Sequence, residues 1–211
     1  MKPRRSGSAG VVRIIGGEWR GTRLPVADRD GLRPTSDRVR ETLFNWLQPK
    51  IAGARVLDLF AGSGALGLEA ASRGAREVLL VEQDPAVAGT LRDTVTRLQA
   101  GGRVHLVQAD ALAWLQAPLH GRFDLVFVDP PFDAGLWPRA LERLPPWLAE
   151  DAWLYLETPV QGHLAPGPAW QPYREGRTRE VRYGLYRRVR PAGEAVTLAP
   201  DPTPTAQVPD A

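Results

Sequence analysis

The chain has no cysteine and only three histidines, His105, His120 and His163, far apart along its 211 residues. Without thiols, a disulfide framework and thiolate metal sites are excluded, and a reducing compartment is permitted. The scattered histidines give no metal-ligand spacing, so no metal is expected. Long apolar runs are also missing. None approaches the ~20 residues that span a bilayer, and no charged-then-apolar leader opens the chain. The expectation is a cytoplasmic protein with no membrane role. Hydrophobic residues make up 43% and charged residues 24%. That mixture and length suit a globular chain that buries its own core.

The net charge of +3 conceals an uneven distribution. Residues 1–40 carry ten Lys and Arg against four acids, and residues 172–190 carry seven against two. Between them, residues 41–171 carry ten against fifteen. An acidic body is flanked by two basic arms. Solvated surface charge is the plain explanation. The sharper one is a phosphate-binding surface, because arginine forks match phosphate geometry.

The two ends, residues 1–10 and 191–211, read as disordered from composition. "VVRIIGGEWRGTRL" reads as two short strands around Gly16-Gly17, a β-hairpin presenting Arg13, Trp19, Arg20 and Arg23. A helix then starts near Ser36 or Asp37, with Val39, Leu43, Phe44, Trp46 and Leu47 as its apolar stripe, and Pro49 stops it. From Arg55 strands and helices alternate. "RVLDLF", "EVLLVE", "RVHLVQ", "FDLVFVD" and "AWLYLET" are the strands. Alternation predicts an α/β fold: a mainly parallel central sheet with helices on both faces and all strand carboxyl ends along one edge. Roughly 168–175 and 179–189 break the rhythm as a terminal antiparallel hairpin joined at Gly176. The organisation expected is a basic end (1–10), a hairpin-and-helix extension that binds RNA (11–50), an α/β domain (51–190) and a tail (191–211).

"LDLFAGSGALG" carries Gly62-x-Gly64-x-x-Gly67, a dinucleotide-binding pattern. Glu82, twenty positions beyond Gly62, suits a ribose hydroxyl of any adenosine cofactor. Asp58 discriminates. A carboxylate a few ångström from a pyrophosphate is repelled by roughly a few kcal/mol, whereas it favours a cation. S-adenosylmethionine has no phosphate and carries a sulfonium and an ammonium. Asp58 can receive that ammonium, and the backbone N–H groups around Gly62 and Gly64 can approach the methionine portion. An NAD-dependent oxidoreductase is the disfavoured alternative. Asp58, Glu82, Asp110 and Asp129 each fall at the end of a predicted parallel strand, so four carboxylates line one sheet edge. For Asp110 alone, a helix N-cap is the lesser competing reading.

"VFVDPPFD" ends the fourth strand. Two prolines alone make a turn. Here they also fix φ twice, so the Asp129 side chain and the Pro130 carbonyl become two rigid acceptors, with Pro131 and the flat face of Phe132 beside them. That set suits the exocyclic amino group of a planar base, turned out of its helix.

At this point the residues resemble a family. "DLFAGSGALGLEA", "EQD", "ADA" and "DPPF" are similar to the motifs of class I S-adenosylmethionine-dependent methyltransferases acting on amino nitrogens. "RIIGGEWRGTRL" and "LRPTSDRVRETLFNWL" resemble the amino-terminal signature of the bacterial 16S ribosomal RNA guanine-N2 methyltransferases. The resemblance spans about residues 11 to 189. It implies a Rossmann-like methyltransferase fold and a monomer that uses S-adenosylmethionine and acts on 16S rRNA, in the small subunit or an assembly intermediate. Asp58, Phe60, Gly62 and Gly64 would surround the methionine part, Glu82 the ribose, and Asp110 with Ala111 the adenine. Asp129, Pro130, Pro131 and Phe132 would form the catalytic loop. Arg33, Thr35 and Arg38 would border cofactor and RNA entrance. The hairpin and the basic arms, read from pattern and charge, add Arg13, Trp19, Arg20, Arg23, Arg40 and Arg177 as candidate RNA contacts. DNA adenine and tRNA amino methyltransferases share "DPPF", and a non-catalytic RNA-binding module is the rival from another class.

Overall fold

The structure is a computed structural model that describes residues 10–26, 36–117, 121–131, 135–161 and 166–189. Arg33, Thr35, Phe132 and the expected disordered ends at 1–9 and 191–211 lie outside the described residues.

Two strands open the fold, β1 (Val11–Arg13) and β2 (Arg23–Pro25), paired antiparallel. The hairpin is wider than the tight Gly16-Gly17 turn expected. Its loop is closed by Ile14 N–H on Thr22 O at 3.0 Å and Gly21 N–H on Ile14 O at 2.8 Å. The cause is a competing partner: the Ile15 and Gly16 amides point at Glu69 instead of across the hairpin, at 2.7 and 2.8 Å. Gly17 is required here. Its φ is +76°, and a Cβ would stand 1.9 Å from the Ser72 carbonyl.

Helix α1 (Asp37–Ile51) is capped by Ser36, whose Oγ accepts from Val39 N–H at 3.4 Å. It buries Val39, Leu43, Phe44, Leu47 and Ile51. Each such side chain contributes about 1.5–3 kcal/mol. Pro49 lies inside this helix rather than ending it. The missing N–H loses one bond, but burial of Leu47 and Ile51 keeps the last turn in place.

The remainder is one seven-stranded sheet. β3 (Arg55–Asp58), β4 (Glu77–Glu82), β5 (Val104–Gln108), β6 (Phe123–Val128) and β7 (Leu148–Pro159) run parallel. β9 (Val181–Arg188) pairs antiparallel with β7 and with β8 (Trp170–Arg177). The turn falls at Thr178–Glu180, not at Gly176, which is inside β8 opposite Tyr183. Crossovers run through α2 (Ala65–Ser72), α3 (Pro85–Arg97), α4 (Ala111–Trp114) and α5 (Leu136–Arg143). The strand order β5-β4-β3-β6-β7-β9-β8 reverses between β3 and β6. Ligands in open α/β sheets bind at such a switch point.

Core side chains fill both faces of the sheet. On one, Val12, Ile14, Trp19 and Leu24 of the hairpin join Phe44 of α1 and Leu68 of α2 in a single cluster. The hairpin is therefore packed onto the sheet domain through a shared core. On the other face, Trp114, Phe123, Trp137 and Trp147 pack together.

Candidate active site

The chain leaves β3 at Asp58 and hangs its next residues on the neighbouring strands: Leu59 N–H donates to Phe127 O at 3.1 Å and Ala61 N–H to Val81 O at 2.9 Å. Gly64 then starts α2 with φ +74°, where a Cβ would press to 2.7 Å from Leu91. A Cβ on Gly67 would reach within 2.3 Å of Leu80. The glycines of this pattern serve a positive φ and close helix–strand approach. The Gly62 N–H is also committed, donating to Glu82 Oε2 at 2.9 Å, and the Gly64 N–H donates to Ala61 O at 2.7 Å. These two amides are therefore engaged inside the loop, where sequence reading had the N–H groups around Gly62 and Gly64 approaching the methionine portion. Gly62 lines the cleft above the loop.

That cleft, about 1080 Å³, opens along the carboxyl edge of the sheet. Asp58, Phe60, Gly62, Glu82, Asp110, Ala111, Asp129, Pro130 and Pro131 all line it. The structure thus gathers the strand-end acids and the proline loop around one space. Glu82 is fixed by accepting from Gly62 N–H and Asp84 N–H, at 2.9 and 2.8 Å. Asp110 caps α4, accepting from Ala113 N–H at 2.8 Å, and still borders the cleft. Asp58 is 2% exposed and accepts from Gly67 N–H at 2.9 Å. Burial pushes its carboxyl up to about 7, the Gly67 bond opposes this, and the Glu82 charge adds to it.

Four further regions line the cleft, the first of them beside the Arg38 that sequence reading had put at the entrance. Ser36 and Val39 bring the start of α1 to it. Glu157 and Pro159 bring the end of β7, Gln161 the residues after it, and Thr178, Glu180 and Val181 the turn between β8 and β9. Glu157 was findable, because it is an acid at the end of a parallel strand, like the four chosen. Among the described lining residues there are seven acids and no Lys or Arg.

The basic residues divide. Arg13, Arg20, Arg23, Arg38 and Arg177 are exposed. Arg38 and Arg177 sit one or two residues from positions that line the cleft, so both basic arms reach its rim. Trp19 and Arg40 do not fit an RNA surface. Trp19 is 8% exposed in the hairpin core, with the Arg103 guanidinium 4.5 Å over its ring. Arg40 is fully buried, donating to Arg13 O at 2.8 Å and to Asp37 at 2.7 Å, with Glu69 at 3.7 Å. Helical position puts Arg40 on the buried stripe of α1 beside Val39 and Phe44, where it balances Glu69 instead of meeting solvent.

A parallel sheet with its switch point beside a glycine loop, acids at the strand ends and a proline loop across from them defines a class I methyltransferase. Comparison with known proteins narrows the class. Residues 12–187 match the family model described as Conserved hypothetical protein 95. Ribosomal RNA small subunit methyltransferase D of Escherichia coli is 50% identical over 190 residues, 89% of this chain and 94% of the relative. The protein of the same name from Haemophilus influenzae is 43% identical over 181 residues, 84% of this chain and 94% of the relative. A solved Escherichia coli structure described as a methyltransferase superposes with a TM-score of 0.75 at 47% identity, covering 85% of this chain and 98% of that one. The chain belongs to this methyltransferase family.

Proposed function

We propose that the protein transfers a methyl group from S-adenosylmethionine to the exocyclic N2 of a guanine in the ribosomal RNA of the small subunit. The observation that carries this reading is the charge of the cleft: acids throughout, with the Asp58 carboxyl almost fully buried. A pyrophosphate there meets repulsion, while a cation recovers the desolvation cost of the carboxylate. The residues fit S-adenosylmethionine. Asp58 holds its ammonium, Glu82 its ribose hydroxyls, and Asp110 with Ala111 its adenine. The bound molecule supplies a methyl group on a cationic sulfur.

This chain's own residues do the rest. Asp129 and the Pro130 carbonyl accept the N–H bonds of the target amine, which frees its lone pair from the ring. Asp129 stabilises the positive charge that develops on nitrogen, and once that nitrogen is cationic its proton passes to water at the cleft mouth, so no strong base is needed. Most of the acceleration comes from positioning. Arg38 and Arg177 hold RNA phosphates beside the cleft, and Arg13, Arg20 and Arg23 hold them along the exposed face of the hairpin. Residues 11–50 form the RNA-binding extension of a methyltransferase domain at 51–190. The enzyme acts as a monomer in the cytoplasm, on the subunit or its assembly intermediate.

The test is methyl transfer from labelled S-adenosylmethionine to small-subunit particles from cells lacking the activity, with the product mapped by mass spectrometry. N2-methylguanosine at one position is the expected result. Label on another base, or none, overturns the reading.

A further inference from the structure

The proline loop that faces an amino group does not by itself choose the base, since adenine and guanine both carry exocyclic amines. The neighbouring strand supplies a selector. β6 and β7 run parallel with Val128 opposite Leu156, so the next residues in register are Asp129 and Glu157. Both line the cleft. Glu157 is 4% exposed, and its Oε2 accepts from the Tyr155 hydroxyl at 2.8 Å. Its backbone carbonyl is held as well, by Trp137 Nε1 at 2.8 Å. Burial, then the charges of Glu157 and Asp129, push the Tyr155 hydroxyl well above its ordinary value, so it stays a donor. Glu157 is thus a carboxylate of fixed orientation, one strand spacing of roughly 5 Å from the Asp129 position.

We infer that Glu157 is the specificity-determining residue of this site, reading guanine by accepting the N1–H bond beside the amine that Asp129 holds. This rests on the guanine-N2 reading above and deepens it. The chemistry is selective. Guanine presents two adjacent donors, N1–H and N2–H, to two carboxylates. Adenine presents a lone pair at N1 beside its amine, and a carboxylate facing that lone pair is repelled. A site that presents an acceptor where guanine has a donor rejects the partner that lacks it, because acceptor then faces acceptor.

The experiment places guanine or 2-aminopurine at the mapped nucleotide of reconstituted small-subunit particles. 2-Aminopurine keeps the C2 amine but has no hydrogen on N1. Single-turnover transfer is measured for the parent and for Glu157→Gln, whose amide can donate to a bare N1 and still accept from Tyr155. The parent should prefer guanine by roughly 10²-fold or more. The variant should narrow that preference to within about tenfold, partly by gaining rate on 2-aminopurine. Intrinsic reactivity of the two amines cancels in the comparison of ratios. If both substrates slow by the same factor in the variant, Glu157 is only a scaffold residue and the inference fails alone. If the parent fails to methylate guanine N2 at all, the underlying reading falls with it. Melting temperature and cofactor affinity of Glu157→Gln, both expected to match the parent, confirm that the ratio reports recognition.

Discussion

Two buried carboxylates, Glu69 on α2 and Asp58 on β3, sit on consecutive elements and live under opposite rules. Glu69 is fully buried, yet it is surrounded by compensation. It accepts from Ile15 and Gly16 N–H at 2.7 and 2.8 Å, pairs with Arg73 at 2.7 Å and has Arg40 at 3.7 Å. Asp58 is 2% exposed and accepts from Gly67 N–H, with no Lys or Arg in ion-pair contact among the described residues. A charge whose partners are all protein serves the fold. A charge buried at the edge of a cleft with its counter-charge missing is held ready for a ligand. Removing the first should destabilise the fold, and neutralising the second should disarm the site without harming the fold.

The largest expected effect is therefore at Glu69. Glu69→Ala takes the buried anion from Arg40, leaving only the half-exposed Asp37 beside it, and releases the hairpin loop from α2. A loss of about 3–5 kcal/mol of stability is expected, the usual result of stranding one member of a buried pair. Chemical denaturation of the purified variant measures it. A loss below about 1 kcal/mol would mean that the shared core alone holds the hairpin.

Asp129 comes next, and its effect should be on rate rather than stability. A carboxylate beside the amine stabilises the developing ammonium more than the neutral ground state. Asp129→Ala should lower single-turnover methyl transfer by roughly 10²-fold or more. Binding of cofactor and RNA should shift much less. Near-parental turnover would reduce the proline loop to a turn.

Asp58 sharpens the comparison because its two effects have opposite signs. Its folded carboxyl titrates at about 7, above its ordinary value of 3.8. The charged form is thus disfavoured by folding, and stability is lost as pH rises between those values. Asp58→Asn should leave the fold at pH 8 as stable as the parent or more so, while S-adenosylmethionine binds more weakly by about 1–3 kcal/mol. In the parent, a cationic ligand needs the carboxylate, so binding below pH 7 releases a proton. Affinity should rise with pH up to about 7, by at most about tenfold per unit, and then level off. Calorimetry in buffers of different ionisation enthalpy detects that proton. A flat profile in the parent would show that the cofactor's ammonium lies elsewhere.

The sequence made the site more legible than its surroundings, for a physical reason. Strand-end acids and a rigid Asp-Pro-Pro announce themselves in one dimension, because strand direction and proline geometry are local. Asp58, Glu82, Asp110 and Asp129 accordingly converge on one cleft. Arg40 and Trp19 were misread because their burial depends on partners about 30 to 85 positions away, Glu69 and Arg103. Helical spacing does put Arg40 on the apolar stripe of α1, but the partner that lets an arginine sit there, Glu69, is distant in sequence. The turn between β8 and β9 reaches the cleft only through the antiparallel return of β9 on β7, which hydrophobic periodicity does not reveal.

The smallest effect expected concerns the exposed arginines, and it tests the same division between paired and waiting charge. Arg40 has protein partners on its guanidinium, whereas Arg20 and Arg23 expose their side chains on the hairpin rim. Only the exposed pair can exchange solvent ions for RNA phosphates. Each phosphate contact releases condensed counterions, so the logarithm of affinity falls linearly with the logarithm of salt. Reversing Arg20 and Arg23 to Glu should weaken binding to small-subunit RNA and reduce that slope by about 1.5, near the value for two lost contacts. Affinity for S-adenosylmethionine should not change, because neither residue lines the cleft. Filter binding over a range of salt concentrations gives the slope, and thermal melting controls for the fold. An unaltered slope in a folded variant would place these arginines outside the RNA interface and leave Arg38 and Arg177, beside the cleft itself, to hold the backbone.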